Sequence, residues 1–103
     1  MTISRPVVAH DGQGGYTAVP VVVGTAPGRV RAARAAEIAR AGQRGYAITH
    51  VIYAAMGTDV RRGDTVAIGG DTFRVQWVAV ARGLVPGGHH LELEAEAVQR
   101  GGG

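Results

Sequence analysis

The chain has 103 residues, enough for one domain with a modest core, because a domain of this size buries only about two-thirds of the surface its unfolded chain exposes. A hydrophobic fraction of 46%, with Phe73, Trp77 and three tyrosines, places it above the disordered range, and the absence of cysteine excludes a disulfide framework and a thiolate metal site. The net charge of +3 is mild and all eleven basic residues are arginine, a common mark of a GC-rich genome. Five of them, Arg29, Arg31, Arg34, Arg40 and Arg44, nevertheless fall within sixteen residues opposed only by Glu37, a local excess suited to nucleic acid or an acidic neighbour.

The opening Met-Thr-Ile-Ser-Arg-Pro lacks the apolar stretch of a signal peptide, and no run approaches the roughly eighteen apolar residues of a membrane span. A soluble protein made in a cytoplasm is expected, with Ser4 in a loose terminus. Residues 9–16, which include Asp11-Gly-Gln-Gly-Gly, are expected to be a flexible loop between a short apolar start (Val7, Val8) and the β-branched run Ala18 to Val23. Pro20 has no N–H for a ladder and makes that run an edge or bulged strand.

Ala26-Pro27-Gly28 is a turn, and Arg29 to Ala32 alternates as a short strand does. Ala33 to Ala41 is alanine-rich, with Glu37 three residues from both Arg34 and Arg40 and Gly42 placed to end a helix. A single short helix follows from this, marginal in water and without a good N-cap. Tyr46 to Ala55 is expected to be a strand apolar on both faces, Ile48 with Ile52 on one and Val51 with Tyr53 on the other.

Asp59 to Asp64 is a polar turn leading into a strand at Thr65 to Ile68, and Gly69-Gly70 supplies a tight hairpin that sets Val66 opposite Phe73. Residues 71–82 and 88–98 each carry one apolar face: Phe73, Val75 and Trp77 on the first, Leu91, Leu93, Ala95 and Ala97 on the second. An odd-length loop at 83–87 would pair Trp77 with Leu93 and Arg74 with Glu96. A helix over 91–99 would scatter Glu92, Glu94 and Glu96, whereas a strand gathers them on one face. The fold class is therefore mainly β: a small antiparallel β-barrel or sandwich of about six or seven strands with one short helix, spanning 1–103 and ending in a flexible 101–103 tail.

Chemistry is hard to find. His89 and His90 would point to opposite faces of a strand and His10 and His50 lie far off in sequence, so no metal site is expected. The only serine is Ser4, which removes a nucleophilic triad, and the glycines after Asp11 are not followed by the Gly-Lys-Ser/Thr of a phosphate loop. No catalytic residue, cofactor or small-molecule substrate is expected. Phe73 and Trp77, read on the same face as Val75, belong to a core rather than to a stacking platform for nucleic acid.

In order along the chain, Asp11-Gly-Gln-Gly-Gly, Pro27-Gly-Arg-Val, His50-Val-Ile-Tyr, Gly57-Thr-Asp-Val-Arg-Arg-Gly-Asp-Thr-Val, Phe73-Arg-Val and His89-His-Leu-Glu resemble the head-closure proteins, or head-to-tail stoppers, of long-tailed bacteriophages. The resemblance implies a β-barrel-like virion subunit, assembled in the host cytoplasm, that forms a homo-oligomeric ring, a hexamer in preference to a dodecamer. The ring would sit below portal and adaptor proteins and above tail proteins, and would close the channel on double-stranded DNA without any membrane. It also implies a gating loop, which by position matches Ala33 to Gly45. Arg29, Arg31, Arg34, Arg40 and Arg44 are then candidates to face the channel, and Glu92, Glu94, Glu96, Arg61 and Arg62 candidates for subunit contacts. Other readings are a stand-alone nucleic-acid-binding barrel and another virion component, such as an adaptor, tail-completion or decoration protein.

Overall fold

In a computed structural model, which describes residues 1–10, 12, 14–81 and 89–98, the chain forms seven strands and one helix. They are β1 (Thr2–His10), β2 (Tyr16–Thr25), β3 (Gly28–Ala32), α1 (Ala35–Gln43), β4 (His50–Ala55), β5 (Thr65–Ile68), β6 (Asp71–Ala81) and β7 (His90–Ala97). The expected 83–87 loop and 101–103 tail lie outside the described residues, as do Asp11 and Gln13. The strands pair antiparallel in one sheet of order β2-β1-β5-β6-β7-β4-β3, so the protein is mainly β as the sequence predicts. The sheet does not close into a barrel: β2 and β3 end it as free edges, although only Ala26 and Pro27 separate them in sequence.

One face of the sheet carries the core. Ile3, Ile52, Val66, Phe73, Val75, Leu93 and Ala95, drawn from five strands, form one buried cluster that Val60 of the 56–64 loop joins. With no second sheet among the described residues to cover them, side chains at 0–3% exposure require the sheet to curve around its own apolar face. The opposite face is partly covered by α1, where Ala41, Ile48 and Val51 are buried apart from the main cluster. β4 is apolar on both sides, as expected, but it begins at His50 rather than Tyr46, and Ile48 lies outside the cluster that holds Ile52.

The β5–β6 hairpin has the predicted register, Val66 opposite Phe73, with Gly69 and Gly70 at positive φ. Arg74 faces Glu96 and Val75 faces Ala95, but the next pair is Trp77 with Glu94, because Gln76 is an extra residue in a bulge. A slip of one residue turns the remaining side chains over. Val78 takes the place opposite Leu93, and Trp77 leaves the core face to stand 38% exposed on the other, correcting both its expected partner and its expected face.

β1 and β2 depart furthest from expectation. Ser4 is in a strand, not a loose terminus, and only Thr2–Ser4 of β1 pair with β5. Beyond that point the hairpin runs on as a two-stranded arm in which Pro6 faces Pro20 and His10 faces Tyr16. Five residues per strand, Pro6 to His10, give the arm a reach of about 17 Å at ~3.3 Å per residue. The molecule is correspondingly long, 54 × 28 × 26 Å with a radius of gyration of 15.1 Å, where a compact chain of this length has about 13 Å.

Candidate functional site

The basic stretch is fixed by a single acidic residue. Glu37 accepts from both terminal nitrogens of Arg31 at 2.7 Å and from the Arg34 backbone N–H at 2.8 Å, so it caps the first turn of α1 and ties it to β3. The expected side-chain pairing of Glu37 with Arg34 and Arg40 gives way to this bidentate bond. Arg31 also donates through Nε to Tyr53 Oη at 2.8 Å, with its guanidinium 5.4 Å from the Tyr53 ring centre. The pairing holds the Glu37 carboxyl down to about 2 and raises Arg31 further.

At the other end of α1 the helix passes through Gly42, which the sequence reading takes as its stop, and is capped by Arg44, with Gly45 at φ +93°. Tyr46 donates to Glu94 at 2.9 Å and stacks on Trp77 with centroids 6.1 Å apart and planes 7° apart. The Arg44 guanidinium lies 5.5 Å from the Trp77 ring centre and 3.7 Å from Glu94. Burial and the bond to Glu94 push the Tyr46 hydroxyl up, although the Arg44 bond opposes them. Ala33 to Gly45 is thus largely a docked helix pinned at both ends.

The acidic surface expected at subunit contacts and the basic surface expected to face a channel meet within one chain. Glu37, Arg40, Arg44, Ala79, Glu92 and Glu94 line a cleft of about 150 Å³ between α1 and the sheet. Glu92 lies 3.5 Å from His90, and Glu96 accepts from Gln76 at 3.4 Å. Of the five clustered arginines, only Arg31 is half-buried; Arg44 is exposed but lies against Glu94, and Arg29, Arg34 and Arg40 are exposed as well. Arg61 and Arg62 are exposed on the 56–64 loop, Arg61 3.9 Å from Asp59.

Two features lie beyond the residues singled out from sequence. Asp64, 1% exposed, accepts from Arg5 Nε at 3.0 Å, from Arg5 Nη2 at 2.9 Å and from the Arg61 N–H at 2.8 Å. Arg5 reaches Asp59 as well, at 3.1 Å, so this cluster fixes the root of the arm to the 56–64 loop. The second feature is the arm surface. Pro6–His10 and Tyr16–Thr25 contain no charged residue, and their apolar side chains are exposed on both faces: Val8, Tyr16 and Val22 at 63–69% on one, Val7, Val19 and Val21 at 43–47% on the other.

Among the described residues no three His, Asp or Glu side chains gather closely enough to hold a metal ion, and the cleft beside α1 sets Glu37, Glu92 and Glu94 against Arg40 and Arg44. The arrangement can bind, through cations on α1 and through the arm. No protein-family model matches this chain, and no curated protein matches it.

Proposed function

We propose that this protein is a structural subunit of a bacteriophage neck, a head-to-tail stopper whose ring closes the DNA exit channel after packaging and docks the tail. The observation that carries the assembly part of this reading is the arm. Soluble monomers rarely leave contiguous apolar patches beyond a few hundred Å² in water, and an uncharged ribbon bare on both sides is built to be covered by another protein surface. The placement in a neck draws on the ordered sequence resemblance, and the exposed Arg34 and Arg40 supply cations that a ring would multiply toward packaged DNA. Imaging of native particles tests the reading: density for this chain in a ring between portal and tail supports it, and its absence from the neck refutes it. In particles carrying Arg34→Ala and Arg40→Ala, DNA should leak before tail attachment, and normal retention would remove the channel role of α1.

A second reading, a stand-alone nucleic-acid-binding protein, is favoured by the exposed Trp77 beside Arg44. A salt-dependent affinity of the isolated monomer for DNA would select it.

A further inference from the structure

We propose that the β1–β2 arm of one copy seats face-on in a trough on the body of the next copy, so that the ring is built head to tail through this one contact. A two-stranded ribbon is at best marginal in water on its own, and this one gains nothing from the core beyond Ser4. From their fractional exposures, its five valines and Tyr16 together leave on the order of 500 Å² bare over the two faces, more than half of the about 800 Å² that one side of a standard protein interface contributes.

The mode of contact follows from the prolines. Pro6 and Pro20 face each other and neither has an N–H, so they can occupy only a non-hydrogen-bonded pair, with the Pro20 nitrogen directed to the free edge of β2. A partner strand adding to that edge would meet the proline ring where it needs a donor. The arm is therefore covered through its faces.

The trough is formed by Pro27, Gly28, Arg29, Tyr53, Ala54, Ala55 and His90, about 340 Å³ in volume. Ala55 leaves room there for incoming side chains, while Met1 fills the space beside Gly28 and Arg29 places a cation in the lining. Tyr53 and His90 meet edge to face with centroids 5.2 Å apart, which matches in kind the His10–Tyr16 ring pair, 4.6 Å apart, on the arm. Arm and trough are different surfaces of one chain, so copy-to-copy seating satisfies both, whereas a foreign partner on the arm would leave the trough empty. Such a contact is heterologous and closes into a ring when its rotation allows.

The inference rests on the neck reading for the ring but is tested apart from it. Light scattering over a wide concentration range is applied to the full-length protein, to Val8→Lys with Val22→Lys, whose cations would meet Arg29 of the trough, and to Ala55→Arg. These positions are exposed, so both variants should keep the melting temperature of the parent. The parent should form ring-sized particles and each variant should be monomeric, its association weakened at least about 100-fold by charge in an apolar contact. An equimolar mixture should form dimers, because one variant retains a sound trough and the other a sound arm. A parent that stays monomeric throughout, variants that assemble like it, or a mixture without dimers overturns the inference. So does flotation of the parent, but not of the arm variant, with phosphatidylcholine vesicles, which would make the arm's partner a membrane. Rings that form through other surfaces overturn the arm contact and leave the neck reading standing; arm-built rings with no place in the particle overturn only the neck reading.

Discussion

Glu37→Gln keeps the shape of the side chain and removes its charge. In the native protein the carboxylate takes two bonds of 2.7 Å from Arg31 and one of 2.8 Å from the Arg34 N–H, which hold it at about 2 against an ordinary 4.5. At ~1.36 kcal/mol per unit the depression corresponds to about 3 kcal/mol, which solvent screening of a partly open pair reduces to roughly 1–2 kcal/mol. α1 has nine residues and buries only Ala41, so it has little else to hold it, and the loss should open the helix locally instead of unfolding the sheet. Amide exchange at Ile38 to Gln43, corrected for intrinsic rates, should therefore quicken about 5- to 30-fold in the variant while Val51 and Leu93 are unchanged. The pH dependence has a definite sign. The native value lies below the unfolded one, so the opened helix takes the proton first; the stabilisation is complete above about 4.5 and is lost as pH falls toward 2. The parent should show that step and the variant should not. Equal exchange in the two proteins, or helix opening in the parent between pH 5 and 7, would refute the argument.

Asp64→Ala leaves the Arg61 N–H without its acceptor and Arg5 with Asp59 alone, and should cost about 2 kcal/mol, lowering the melting temperature by on the order of 10 °C in a thermal scan. At Gly45, φ is +93° with open space around it, so Gly45→Ala should cost about 1 kcal/mol through backbone strain alone, measured by denaturant unfolding. Tyr46→Phe loses the bond to Glu94 but keeps the ring on Trp77, so it should cost about 1 kcal/mol and leave fluorescence unchanged, while Tyr46→Ala should red-shift the emission of this sole tryptophan.

The second half of the sheet is readable from sequence because strict alternation and paired glycines fix register: Val66 with Phe73 and Arg74 with Glu96 follow directly. The bulge also leaves a sign there, since the apolar positions change from odd (Phe73, Val75) to even (Val78, Val80), and Trp77 reads as a continuation of the wrong series. The arm is less legible. Val7-Val8 and Val21-Val22-Val23 do not alternate, and an apolar run without period looks the same whether it is buried or bare. The clearest pointer is the lack of charge in both of its strands. The contacts of Glu37 with Arg31 and of Asp64 with Arg5 join separate elements, and local spacing, which pairs Glu37 with Arg34 and Arg40, favours partners that the fold does not use.

Only Thr2 to Ser4 of the first strand knit the hairpin into the sheet, so its length is set independently of the rest of the molecule. Each pair of residues added or removed along it alters the span by ~3.3 Å and exchanges its two sides. Changes in steps of two preserve which side presents Val8 and Tyr16, while changes of one do not. The protein thus holds an adjustable spacer, able to lengthen or shorten in increments of roughly 7 Å at no cost to the packed interior.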